Sequence, residues 1–111
     1  MTDKYILEGH TPVRASSLIA WATWFEEANR TVAKTAITPS VEVSTVFLGL
    51  DYNFEGYGEP ILFETMVFGG ALDQEQARYR TWDEASVGHI SMVKHAKDAE
   101  AGLIAEEAPG V

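Results

Sequence analysis

The sequence predicts a single α+β domain in which a small antiparallel sheet of three to four strands packs against two helices. Three observations lead to this fold class. Residues 41–50 and 61–68 are rich in β-branched and aromatic side chains and flank a loop with glycine and proline, which is typical of a hairpin. Residues 16–32 and 82–99 repeat apolar side chains at helical spacing. The 111 residues, 46% of them hydrophobic, suffice for one core.

Before the hairpin, the sequence predicts one strand and one helix. The run Tyr5-Ile6-Leu7 is a brief strand, which the next turn-forming residues end. An amphipathic helix follows from Ser16 to about Val32. Its apolar stripe consists of Leu18, Trp21, Ala22, Phe25, Ala28 and Val32. The pattern assigns no element to residues 33–37, which precede a break at Thr38-Pro39-Ser40.

The predicted hairpin has two apolar faces, because alternate residues of a strand point to opposite sides. In the first strand, one face has Val41, Val43, Thr45 and Phe47, and the other has Val46, Leu48 and Leu50. In the second strand, one face has Ile61, Phe63, Thr65 and Val67, and the other has Leu62, Glu64, Met66 and Phe68. Helices on one side cover only one face, so the second needs another cover. We expect a second copy of the chain there, ahead of a ligand or a folded-back segment.

The C-terminal part adds a helix and a tail. Residues 76–80 form a further short strand or an extended connection. Thr81-Trp82-Asp83-Glu84 has the spacing of a capping box and starts a second helix, which ends near Ala99. The domain therefore covers residues 1–99. Residues 100–111 are expected to form a flexible acidic tail, because they bring too little apolar surface to offset the entropy of ordering.

Composition excludes several classes of function. The net charge of −9 repels a phosphate backbone, and the basic residues form no dense run, so we expect no nucleic acid partner. No stretch of about 18 apolar residues and no export signal is present, so we expect no membrane partner and a cytoplasmic location. The absence of cysteine excludes disulfides and thiolate chemistry. No glycine motif has phosphate-binding spacing, and we expect no cofactor.

Glu64 and His89 form the candidate acid–base pair. Glu64 lies mid-strand between apolar neighbours, where a carboxylate must be paired, protonated or part of a site. His89 lies on the apolar stripe of the second helix and could act as a general base if Glu64 oriented it. The structural alternatives are a hydrogen-bonded carboxylate and a buried histidine with a satisfied nitrogen. No metal site is expected, because His89 and His95 point to poorly matched faces of the helix.

The candidate ligand-binding or partner-binding residues are Trp24, Asp51, Tyr52, Phe54, Tyr57, Glu64, Met66 and His89. Asp51 opens a loop whose aromatic residues offer a recognition surface, although an aspartate is also an ordinary turn residue. Trp24 stacks on a planar ligand, covers a partner surface or packs in the core. Met66 belongs to the second face of the hairpin.

Three stretches of the chain resemble a family of small proteins found in tailed bacteriophages and prophages. They are Val43 to Asp51, Phe63 to Gly69, and Thr81 to Ala85 before Gly88-His89. The resemblance covers roughly Tyr5 to Lys97 and includes a Trp-rich first helix. It implies an accessory role for a phage in the cytoplasm of an infected bacterium, and it assigns no catalytic residue.

The leading hypothesis is a phage-encoded, homo-oligomeric binding module without enzymatic activity. Such a module would engage a host protein or sequester a small molecule. One alternative is a small enzyme that uses Glu64 and His89 as acid and base, which requires the two side chains to lie within one hydrogen bond of each other. Another alternative is a component of the virion or of its assembly.

Overall fold

The computed structural model describes residues 3–102, and these residues form six strands and two helices. In chain order the elements are β1 (Tyr5–Glu8), β2 (Thr11–Arg14), α1 (Leu18–Glu27), β3 (Thr31–Thr38), β4 (Val41–Phe47), β5 (Phe63–Phe68), β6 (Gln76–Tyr79) and α2 (Trp82–Glu100). β1 and β2 form a two-stranded antiparallel sheet, and β3 to β6 form a four-stranded antiparallel sheet in that order. The predicted α+β fold with two helices is confirmed.

The central hairpin of the four-stranded sheet is the predicted pair, β4 and β5. Thr45 lies opposite Thr65 near its middle. Both strands are shorter than predicted. The chain leaves the ladder near Gly49, whose φ of 77° lies in the left-handed region that favours glycine. The segment 48–62 is therefore a long loop. Of the two alternatives for residues 76–80, a short strand and an extended connection, the structure shows the strand, β6.

The predicted first helix is wrong over its last five residues, 28–32. α1 ends at Glu27, and the segment that follows it forms the edge strand β3. The side chain of Asn29 accepts a hydrogen bond from the Thr31 N–H at 3.0 Å, which offers the backbone an alternative to another helical turn. Val32 is thus a strand residue, in a segment whose β-branched side chains favour a strand. Thr38-Pro39-Ser40 connects β3 to β4.

The predicted single strand at Tyr5 is the first half of a hairpin. Gly9, with a φ of 65°, allows the turn, and β2 returns along β1 with Pro12 opposite Leu7. Pro12 is compatible with β2 because this strand is paired on one side only. The hairpin lies outside the four-stranded sheet. It is anchored by the Tyr5 N–H, which donates to the Gly49 carbonyl at 2.8 Å.

α2 begins where the capping box predicts. The Thr81 hydroxyl accepts from the Glu84 N–H at 3.0 Å, and Glu84 accepts in return from the Arg80 N–H at 3.0 Å. The helix continues to Glu100, whose carboxylate accepts a backbone hydrogen bond from the segment after β5. Glu100 therefore belongs to the folded domain and not to the predicted tail. From residue 103 onward, that tail lies outside the described residues.

The core lies between α2 and one face of the four-stranded sheet, because α2 packs against all four strands. Its buried apolar residues are Tyr5, Phe47, Leu62, Phe63 and Ala85 in one cluster, and Val41, Val43, Val67, Met92 and Ala96 in the other. The core face of the hairpin thus has Val41, Val43, Thr45 and Phe47 on β4 and Phe63, Thr65 and Val67 on β5, whereas Ile61 lies in the loop before β5. Leu62, which the sequence assigned to the other face, is 2% exposed, because it precedes β5 and does not follow its alternation.

α1 lies at the rim of this core, and none of its residues is fully buried. Trp24 packs edge-on against Phe47, with ring centroids 5.7 Å apart. Leu18 is 63% exposed and Ala22 is exposed as well, so the predicted apolar stripe is wrong at these two residues. Within residues 3–102, neither helix combines the length and the apolar character that crossing a membrane requires.

Candidate functional site

The candidate residues fall in three separate places. Trp24 and His89 pack against or within the core; Glu64 and Met66 lie on the sheet face away from α2; Asp51, Tyr52, Phe54 and Tyr57 lie in loop 48–62. The structure brings the loop residues near one another but does not join the three groups into one site.

A line of hydrogen-bonded side chains connects α2 to three strands through the core. His89 is 5% exposed, with Nε2 2.8 Å from Thr35 Oγ1 and Nδ1 2.7 Å from Thr45 Oγ1. Thr45 Oγ1 lies 2.5 Å from Thr65 Oγ1, and both threonines are fully buried. Both ring nitrogens of His89 therefore have hydrogen-bond partners. This matches the alternative of a buried structural histidine and not that of a general base.

The electrostatics of this line also favour a structural role. Burial desolvates the charged form of His89 and lowers the pKa of its imidazole. A neutral imidazole donates from one nitrogen and accepts at the other, so His89 donates to one of Thr35 and Thr45 and accepts from the other. Removing one member would leave a buried polar atom unpaired, at a cost of about 1 to 3 kcal/mol. His89 therefore fixes α2 on the sheet.

Glu64 lies on the opposite side of the sheet from His89. It neighbours Thr65, which points into the core, and successive residues of a strand point to opposite faces. Glu64 Oε2 accepts from Arg78 Nε on the neighbouring strand β6 at 2.9 Å. The structure therefore does not bring Glu64 and His89 together, and the acid–base pair that the enzyme alternative requires is not formed.

The face of the four-stranded sheet that points away from α2 is called the open face below. Its residues are Lys34 and Ala36 of β3, Glu42, Ser44 and Val46 of β4, Glu64, Met66 and Phe68 of β5, and Gln76 and Arg78 of β6. Each of them is half-buried or exposed. Val46, Met66 and Phe68 form an apolar diagonal across the two central strands, with Phe68 49% exposed. This face corresponds to the second hairpin face of the sequence analysis, without Leu48, Leu50 and Leu62.

Two ion pairs between neighbouring strands flank the apolar diagonal. Lys34 Nζ lies 3.6 Å from Glu42 Oε2 on one side, and Arg78 Nε lies 2.9 Å from Glu64 Oε2 on the other. The formal charges of the open face therefore cancel. The rest of the surface carries the acidic excess of the chain, whose net charge is −9.

Loop 48–62 is held in one shape by its own side chains. Asp51 Oδ1 accepts from the N–H groups of Asn53 at 2.7 Å and Ile61 at 3.0 Å. Asn53 Nδ2 donates to the carbonyls of Tyr57 at 2.7 Å and Glu59 at 2.9 Å. Asp51 thus has the turn-forming role that the sequence analysis weighed, and it also places the aromatic residues of the loop.

The aromatic residues of the loop differ in their surroundings. Tyr52 is half-buried, and the Arg78 guanidinium lies 4.9 Å from the centre of its ring. Phe54 and Tyr57 are 74% and 75% exposed. They border a cavity of about 520 Å³ between the loop and the β1–β2 hairpin. The rest of the cavity wall consists of Asp3, Tyr5 and Arg14 and of further residues of the loop.

Sequence reasoning did not assign three polar side chains of this cavity, those of Asn53, Asp3 and Arg14, to a site. Asn53 had a signal, because an asparagine two residues after Asp51 in a glycine-rich segment is typical of turns stabilised by side chains. Asp3 and Arg14 form an ion pair of 2.8 Å, and Arg14 reaches it only because β2 folds back along β1. The sequence analysis contained no β2, so nothing placed these two side chains together.

Within residues 3–102, no three side chains of histidine, aspartate or glutamate are grouped so that they could hold a metal ion. Comparison of the chain with family models, with curated proteins and with solved structures found no match.

Proposed function

We propose that the protein is a binding module without enzymatic activity and that it forms a homodimer through its open face. The observation that carries the proposal is the apolar diagonal of Val46, Met66 and Phe68, which lies on the side of the sheet that α2 does not cover. Burying apolar surface contributes about 25 cal/mol per Å², so a second sheet packed on this face would stabilise both copies.

The charges support a second copy as the occupant. The chain is strongly acidic, so most contacts between two copies would bring like charges together. On the open face, the pairs Lys34–Glu42 and Glu64–Arg78 cancel locally. This face therefore allows two acidic chains to approach without that repulsion. A two-fold axis would pair the same patch on both copies.

The edges of the sheet are less suited to self-association than its face. The edge strand β3 carries Lys34 and has two register irregularities, between Thr31 and Ala33 and between Ala36 and Thr38. Charged residues and bulges are features that discourage pairing at an edge. The other edge strand, β6, has only four residues. Association through the face is consistent with these protected edges.

The oligomeric state tests this proposal directly. Light scattering coupled to size exclusion, with the full chain at micromolar concentration, should give twice the chain mass. Phe68→Lys places a charge in the apolar diagonal and should give a monomer. Ile90→Lys is the matched control, because Ile90 is 70% exposed on α2, and it should leave the dimer intact. A monomeric unmodified chain would overturn the homodimer, and a complex with a host protein that Phe68→Lys abolishes would assign the open face to that protein.

The proposal includes a biological setting, an accessory role for a tailed bacteriophage in the cytoplasm of its host. Its support is the resemblance of the three sequence stretches described above, two of which form β4 and β5. Mass spectrometry of purified particles and of infected cells tests it. Presence of the chain in cells and absence from particles is expected, whereas a stoichiometric amount in particles would indicate a virion component.

A further inference from the structure

We infer that the cavity between loop 48–62 and the β1–β2 hairpin is a binding site for a neutral saccharide. Its volume of about 520 Å³ lies in the range of small-molecule sites. Its wall combines two exposed aromatic side chains, Phe54 and Tyr57, with the polar groups of Asp51, Asn53 and the Asp3–Arg14 ion pair. This inference does not depend on the homodimer, because the cavity and the apolar diagonal of the open face share no residue.

The cavity is built before any ligand arrives. The side chains of Asp51 and Asn53 make five hydrogen bonds to the backbone of the loop, and Arg80 Nε donates to the Glu59 carbonyl at 3.1 Å. A loop held in this way loses little conformational entropy when it binds a ligand. Phe54 and Tyr57 are therefore presented to solvent by a braced backbone, which is a costly arrangement for apolar rings unless they meet a partner.

The charges of the cavity disfavour an anion. Arg14 and Asp3 neutralise each other at 2.8 Å, which leaves the carboxylate of Asp51, whose Oδ1 accepts from two backbone N–H groups, as the one uncompensated charge of the wall. An anion would meet the carboxylates of Asp3 and Asp51. A cation would meet the guanidinium of Arg14, whose side chain is 67% exposed. The choice of a neutral ligand therefore rests on the match of the wall to hydroxyl groups and sugar rings.

The polar groups match hydroxyl groups in particular. Each hydroxyl both donates and accepts a hydrogen bond, and a guanidinium beside a carboxylate offers a donor and an acceptor at adjacent positions. A sugar ring also has an apolar C–H face, which packs on aromatic rings such as Phe54 and Tyr57. The combination of exposed aromatic rings with paired donors and acceptors is what a saccharide needs for recognition.

Titration of the ¹⁵N-labelled full chain, followed by NMR, tests the inference with defined probes. The probes are three neutral trisaccharides (maltotriose, cellotriose and tri-N-acetylchitotriose), with inorganic phosphate as the anion and choline as the cation. At least one trisaccharide should shift the amide signals of Asn53, Phe54 and Tyr57 at millimolar concentration. Shifts there with choline or phosphate alone, or no shifts with any of the trisaccharides, would overturn the inference.

Variants separate binding from folding. Tyr57→Ala should weaken trisaccharide binding about tenfold through the lost aromatic contact, and it should fold normally because the side chain is exposed. Val87→Ala on α2, also exposed, is the matched control and should bind as the unmodified chain does.

Discussion

The two faces of the four-stranded sheet use polar residues in opposite ways. On the core face, Thr45 and Thr65 are fully buried and hydrogen-bonded to each other and, through Thr45, to His89. On the open face, Glu64 and Arg78 form an ion pair at 2.9 Å that is partly exposed to solvent. A polar residue inside an apolar strand therefore has a different role on each face of the sheet. In the core it orients a helix, and on the open face it balances charge around an apolar patch.

The largest expected difference between the faces comes from two phenylalanines of β5. Phe63 is fully buried, and Phe63→Ala should lower the free energy of unfolding by about 3 to 5 kcal/mol, because it leaves a cavity. Phe68 is 49% exposed, and Phe68→Ala should change it by less than about 0.5 kcal/mol. Urea unfolding at low protein concentration, where association contributes little, measures both. Equal losses would contradict the assignment of the two faces.

Substitutions at the adjacent residues Thr45 and Ser44 of β4 should differ in their effect on the free energy of unfolding. Thr45→Val keeps the shape of the side chain but removes the hydroxyl that His89 and Thr65 share, so it should cost about 1 to 3 kcal/mol. Ser44→Ala, one residue away on the open face, is the control and should be nearly neutral. Thermal or urea unfolding of both variants gives the difference. A neutral Thr45→Val would show that the buried line of hydrogen bonds does not stabilise the fold.

The pH dependence of stability should report His89. Burial lowers its pKa in the folded state below the value of about 6.5 that it has in the unfolded chain. The unfolded chain therefore binds more protons as the pH falls below about 6.5, and the free energy of unfolding should decrease until the pH reaches the lowered folded pKa. Above about 6.5 this contribution is fully present.

His89→Gln provides the comparison for this pH series. The variant lacks the titrating imidazole, so the decrease of stability below about pH 6.5 should be smaller than in the unmodified chain. Urea midpoints at closely spaced pH values measure both proteins. If both lose stability in parallel over this range, His89 is not the group responsible.

The smallest expected effect concerns the ion pair of the open face. Glu64→Gln should cost only about 0.2 to 1 kcal/mol, because the glutamine oxygen can still accept from Arg78 and the Arg78 side chain is 37% exposed, and the cost should shrink as salt is added. Thr45→Val should show no such salt dependence, since its hydrogen bonds are buried. Unfolding at low and high sodium chloride measures the contrast. A salt-independent loss for Glu64→Gln as large as that for Thr45→Val would remove the distinction between the faces.

The parts of the fold that local patterns specify were predictable. The alternation of Val41, Val43 and Phe47 placed the core face of β4, and Thr81 and Glu84 placed the start of α2. β3 was not predictable in this way, because its edge position and its pairing with β4 depend on contacts far along the chain. The segment of β3 shows no clear alternation of apolar and polar residues that would predict a strand. The helical spacing of apolar residues therefore extended the predicted helix to Val32, which lies in β3.

The candidate site shows the same division. Asp51 and the aromatic residues of its loop were visible in the sequence, because turn-forming and aromatic residue types are themselves the signal. The pairing of Glu64 with Arg78 instead of His89 was not visible. A mid-strand carboxylate signals a partner but does not say on which side of the sheet that partner lies.

The sequence by itself determined the α+β class, the β4–β5 hairpin, the capped second helix and the acidic net charge, because each follows from residue types and from spacings shorter than one element. Only the tertiary structure decided that His89 joins three strands, that Glu64 faces away from it, and that Arg14 meets Asp3 beside loop 48–62. These contacts join residues that are distant in sequence, and their geometry is fixed by how strands pair and pack, which no local pattern encodes.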